Sequence, residues 1–151
     1  MSLALTFHIL GAIVWIGGMF FAHMVLRPSA GTLDPPTRLA LWARVLGRFF
    51  MWVWLSIAAL LLSGFAMVFI GYGGFAVLPT NISLMMTVGV VMAAIFTYIY
   101  GVPWQRFRRG VAAADWPGAE RSIQRIRRLV GVNLLLGLAT VVLAAAGAYF
   151  T

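Results

Sequence analysis

The chain has no cysteine and no lysine, and only Asp34, Asp115 and Glu120 of its 151 residues are acidic. The missing cysteine excludes a disulfide frame and a thiolate metal site. No nucleotide-binding ATPase motif occurs, so the chain cannot itself couple transport to ATP hydrolysis. There is also no low-complexity segment, linker or close internal repeat to suggest a second domain. What the chain has in abundance is apolar: 63% hydrophobic residues, 9% charged ones and a mean hydropathy of +1.00. A soluble globule of this composition would expose large apolar patches, so the sequence predicts an integral membrane protein with one transmembrane domain over residues 1–151.

Four apolar stretches free of Asp, Glu, Lys and Arg are long enough to cross a bilayer, at about 3–26, 49–70, 81–102 and 129–150. The first exceeds a cleavable signal sequence's apolar run of ~7–15 residues, and no Lys or Arg precedes it, which marks a retained span. All eleven basic residues are arginines. Arg27, Arg38, Arg44 and Arg48 lie between spans 1 and 2, and the other seven, Arg106 to Arg128, lie between spans 3 and 4. The 2–3 connection and both termini carry no charged side chain. The positive-inside bias then places both arginine segments in the cytoplasm and both termini outside, in a bacterial-type inner (plasma) membrane. It also accounts for the net charge of +8 without nucleic acid as a partner, since the interleaving of basic and aromatic residues that such surfaces use is missing. Asp34 before Pro35 and Pro36, and Asp115 before Pro117, have the pattern of helix starts, so spans 2 and 4 begin as helices on the cytoplasmic side. Tandem spans with short connections predict an all-α antiparallel four-helix bundle.

At 100° per residue, His8, Gly11, Ala12, Trp15, Met19, Ala22 and His23 fall on one stripe of span 1, while Leu10, Ile13, Val14, Phe20 and Phe21 fall on the other side. Both histidines therefore face the bundle or another subunit. Ionisable side chains inside a span are functional candidates, although His23, about one turn from Arg27, also suits the headgroup region. Fifteen helical residues separate the two imidazoles by about 22 Å, so they cannot share one metal ion or haem within a monomer. At the outer depth His8 meets Met67, Met85 and Met86; at the inner depth His23 meets Met24, Met51 and Asn133. Thioether with imidazole suits Cu(I) or haem iron, and any one methionine also suits simple packing. Asn133, Gly137, Thr140, Ala144 and Gly147 on span 4, and Gly89, Ala93, Thr97 and Gly101 on span 3, read as packing seams, which also permit a homodimer. Trp42, Trp104 and Trp116 mark the inner boundary, and Tyr72 and Tyr149 the outer one.

The run from His8 to Phe20, with Trp15-Ile16-Gly17-Gly18 two turns after the histidine, resembles the first helix of the copper-resistance protein D (CopD) family. The four-span layout with cytoplasmic arginines is similar as well. That resemblance implies a membrane protein that handles copper. CopD relatives often have a histidine at the start of the third span, where this chain reads Asn81 to Met86, so copper ligation there either falls on the neighbouring methionines or is absent. His8 with Trp15, Gly18 and Phe20 also resembles the first helix of HemJ-type protoporphyrinogen oxidases, which implies an axial haem ligand at His8. Those enzymes carry a lysine in the third helix, absent here.

Three readings follow. In the first, Cu(I) is taken at the outer face by His8 with Met67, Met85 or Met86 and passes Met19 toward His23; soft neutral ligands suit a monovalent ion. In the second, haem b is held by His8, with Gly11, Ala12 and Gly18 making room, in electron transfer or as a membrane oxidoreductase. The third is a cofactor-free membrane subunit. No catalytic residue is singled out. The first reading expects a colourless detergent-purified protein that retains copper in elemental analysis. A Soret band lost in His8→Ala and kept in His23→Ala would assign haem instead.

Overall fold

The structure, a computed structural model, describes residues 1–147; Tyr149 and Phe150, at the expected end of the fourth span, lie outside the described residues. Four helices are long and apolar enough to cross a membrane: Ser2–Ala30, Pro35–Gly71, Thr80–Ala112 and Trp116–Gly147. Each expected span lies inside one of them, apart from the last residues of the fourth. The second has 37 residues, about 55 Å at 1.5 Å per residue, against a hydrocarbon core ~30 Å thick. Its excess length lies on the arginine-bearing side, and the same is true of the fourth.

Local chemistry sets the helix limits. Helix α1 (Ser2–Phe21) passes through a π turn, Ala22–Leu26, into the short α2 (Arg27–Ala30). Pro28 has no N–H, and its ring would press on the carbonyl four residues back in an α-helix. The wider turn just before it, with the Arg27 N–H reaching back to the Ala22 carbonyl, accommodates that defect. Helix α3 (Pro35–Gly71) starts at Asp34, whose carboxylate accepts from the Thr37 N–H at 3.2 Å; hydrogen bonds from Thr37 hold the carboxyl below the ordinary aspartate range. Helices α4 (Thr80–Gly101) and α5 (Pro103–Ala112) are separated by a break at Val102 (φ −118°, ψ −77°), where the following proline disfavours helical backbone. Asp115 caps the start of α6 (Trp116–Gly147), accepting from the Gly118 N–H at 3.0 Å.

Helix α1 packs mainly on α3, while α6 packs on α4 and α5. Along α1 and α3 the contacts run in opposite chain directions: Met1 beside Gly71, His8 beside Gly64, Gly11 beside Leu60 and Gly18 beside Phe49. The α1 stripe reads out as expected. Gly11, Trp15, Met19 and Ala22 are buried, His8, Ala12 and His23 are half-buried, and Leu10, Ile13, Val14, Phe20 and Phe21 are exposed.

An aromatic cluster ties the two helix pairs together. Phe50 stands edge-on to Phe96 (5.2 Å between centroids) and Trp104 (5.1 Å); Trp54 meets Phe96 and Tyr100, and Trp15 meets Phe96. Trp42 and Trp104 are core residues, each 3% exposed. The α6 seam packs as expected at Gly137, tight against Ile16 and Met92, and at buried Asn133. The α4 stripe does not: its buried face is Met92, Phe96 and Ile99, and Gly89 and Gly101 have open space before them.

Between lipid-solvated helices the transfer of apolar groups from water does not drive association, so a large-to-small change costs mainly the void it leaves. At about 24 cal/mol per Å³, Phe50→Ala, with a void of roughly 100 Å³, is expected to cost about 2 kcal/mol in detergent unfolding. Leu62→Ala, at a side chain 72% exposed, is expected to leave the transition within error.

Candidate functional site

Along the face that α1 turns inward, the two histidines form separate stations. At the one farther from the arginine segments, called the outer station after the expected orientation, the His8 ring lies over Gly64, the absent Cβ of which would come within 3.6 Å of Cε1, and Nδ1 is 2.9 Å from Ser63 Oγ. The one proton of the Ser63 hydroxyl has the Ala59 and Leu60 carbonyls of α3 and His8 Nδ1 within reach. With that proton on a carbonyl, Ser63 Oγ accepts from His8 Nδ1–H, and in that tautomer the Nε2 lone pair is available. Orientation of an imidazole by a partner on one nitrogen, with the other available, is the usual arrangement of a metal-binding histidine.

Met67 follows Ser63 by one helical turn and so lies on the same face of α3, half-buried and one turn outward of His8. Met85 and Met86 are half-buried near the start of α4. Met19 is buried at 2% exposure on the α1 stripe between the two histidines. Among the described residues, no three His, Cys, Asp or Glu side chains come together as a possible ion site. A soft ion here would rest on one imidazole and thioethers.

Room for a haem at Gly11 and Gly18 is not found. A Cβ at Gly11 would stand 3.2 Å from the Ser56 carbonyl and from Leu60, and the Phe49 ring fills the space before Gly18. The glycines serve the close approach of α1 to α3, and a macrocycle does not fit between these helices at either position.

The inner station is electrostatically different. His23, at the head of the π turn, lies over Gly131 of α6 and shares a small cavity with Arg27, Trp42 and Arg127. The Arg127 guanidinium carbon is 5.4 Å from the centroid of the Trp42 ring, and Glu120 draws Arg38 (3.2 Å) and Arg127 (3.9 Å) together. Met24 and Met51, expected beside His23, point outward, Met51 at 67% exposure. Asn133 faces α4 instead, donating to the Met92 carbonyl at 3.1 Å.

Sequence reasoning did not select Ser63, Gly64, Trp42, Glu120 or Arg127. A signal for Ser63 was present: Ser56 and Ser63, seven residues apart, put two hydroxyls on one face of an otherwise apolar span, and both are buried. Ser63→Ala removes the acceptor for His8 Nδ1 and is expected to cost about 1 kcal/mol. A double-mutant cycle with His8→Ala, read by detergent unfolding, is expected to give a coupling of similar size, whereas Ser83→Ala with His8→Ala is expected to be additive.

A family model described as Copper resistance protein D matches residues 43–147. The match covers α3 from Ala43 through α6 and begins after both histidines, so it does not depend on the first-helix motif. No curated protein and no solved structure matches the chain. With more than two thirds of its length matched, and with four helices able to cross a membrane, the chain belongs to the copper resistance protein D family of multi-pass membrane proteins.

Proposed function

We propose that this protein binds Cu(I) at His8 in the outer half of the bilayer and passes it inward along the α1 stripe. The observation that carries the reading is the 2.9 Å contact of His8 Nδ1 with Ser63 Oγ, which orients the ring and, in the Nδ1–H tautomer, leaves the Nε2 lone pair for an ion, in a family associated with copper resistance. Met67 on the same face of α3 is the nearest thioether by register, and Met85 and Met86 supply others from α4. Neutral nitrogen and sulfur ligands let a monovalent ion enter the apolar layer without an uncompensated anion beside it.

The resting site is at His8 rather than His23, because Arg27 and Arg127 line the inner cavity and oppose a resident cation. Met19, buried between the two stations, is a thioether on the path, and Met92 of α4 is buried in the same core. In the orientation we propose, the arginine segments are cytoplasmic, the termini lie outside, and the membrane is the inner (plasma) membrane.

Titration of the detergent-purified protein with Cu(I) against a competing chelator tests this. About one ion per chain is expected for wild type, with affinity reduced about tenfold or more in His8→Ala, in line with the 10–100-fold typical even of lost outer-shell partners. His23→Ala is expected to bind as wild type. Equal binding by His8→Ala and wild type sinks the proposal.

A further inference from the structure

We infer that the α5–α6 hairpin holds a binding site for a phosphate-bearing anion, built from Arg106, Arg109, Arg121 and Arg125. These four side chains line one cavity of about 590 Å³. Arg106 and Arg109 are three apart on α5, and Arg121 and Arg125 are four apart on α6, so each pair occupies one helix face and the two faces converge. The spacing between the helices is set by backbone contact. Gly110 lies so close to α6 that a Cβ there would be 3.2 Å from the Ala119 nitrogen. The connection closes tightly through Ala114, in the left-handed region at φ 53°, and through the Asp115 N–H, which donates to the Gly110 carbonyl at 2.9 Å.

Charge in this cavity is unbalanced. Its one acidic side chain is Asp115, already occupied in capping Gly118, and Glu120 pairs with Arg38 and Arg127 instead. Among the described residues, none of the four arginines has an ion-pair partner, and Arg125 is steadied by the Tyr98 ring, 5.8 Å from its guanidinium carbon. The four arginines are exposed around one open groove, where a doubly charged tetrahedral anion would accept forked N–H pairs from them. A positive-inside signal needs arginines anywhere in the segment, not four converging on a cavity whose walls are fixed. Val102 and Pro103, at the α4–α5 break, form its inner wall, so the cavity reaches the depth where an anionic phospholipid headgroup lies. A phospholipid headgroup and free phosphate present the same chemistry.

The test measures melting temperature of the purified full chain in neutral detergent, titrated separately with phosphatidylglycerol, phosphatidylcholine and inorganic phosphate. Wild type is expected to be stabilised by phosphatidylglycerol, by phosphate, or by both, and not by phosphatidylcholine. A response to the lipid alone assigns a headgroup; a response to phosphate alone assigns a soluble phosphate. Arg109→Gln with Arg121→Gln is expected to weaken the apparent affinity about tenfold or more, since two charge-assisted contacts are lost. Arg44→Gln with Arg48→Gln removes the same charge outside the cavity and is expected to keep the response. Arg106→Gln with Arg125→Gln repeats the measurement should the first pair fail to fold. Absence of any anion response, or equal weakening in the Arg44/Arg48 control, overturns the inference.

Discussion

Among lipids, two apolar helices gain nothing by hiding from water together, so contact must come from fit and from polar groups that cannot be left unpaired. The seating of α1 on α3 shows both. Gly11 and Gly18 let the Ser56 carbonyl, Leu60 and Phe49 come close, and the His8–Ser63 hydrogen bond fixes the register between them. The rest of the bundle follows from that seating. It puts Trp15 against Phe96, which places α4, and it brings His23 to α6. Asn133 repeats the same rule on the other pair, spending its amide on a main-chain carbonyl of α4.

The polar inventory is thereby divided along the bundle. At the end away from the arginine segments it is neutral: imidazole, hydroxyl and thioether. At the other end it is cationic, with eleven arginines against three carboxylates, and two of those carboxylates are used as helix caps. A monovalent soft ion meets no fixed charge of like sign at His8 and meets two toward Arg27 and Arg127. An anion meets the reverse. The copper site and the phosphate site proposed above therefore occupy opposite ends of one field, and neither competes with the other for residues.

Most of the architecture was legible in the sequence, because lipid exposure leaves a periodic mark: the α1 face assignments, from Leu10 to His23, follow from 100° steps alone. The helix starts at Asp34 and Asp115 were legible because a cap and a proline are local signals. What could not be read was which helix lies beside which. His8 points inward by periodicity, but Ser63 as its partner is a fact of tertiary register, as are Phe49 filling the space before Gly18 and Gly131 lying under His23. That Trp42 and Trp104 pack into the core is likewise a fact of tertiary register.

Pro28 was visible throughout, yet its effect was not read from it. The π turn it accompanies adds one residue to the first helix without adding a full step of rotation, so everything after Leu26 is turned relative to an uninterrupted helix. Ala30, at the end of α2, is buried at 3% exposure. The extra residue is absorbed by the wide turn: shortening Ala22–Leu26 by one residue would restore α geometry while leaving Arg27 and Ala30 near their present bearing, so the π turn lets the helix carry one more residue past Pro28 without turning its buried face away.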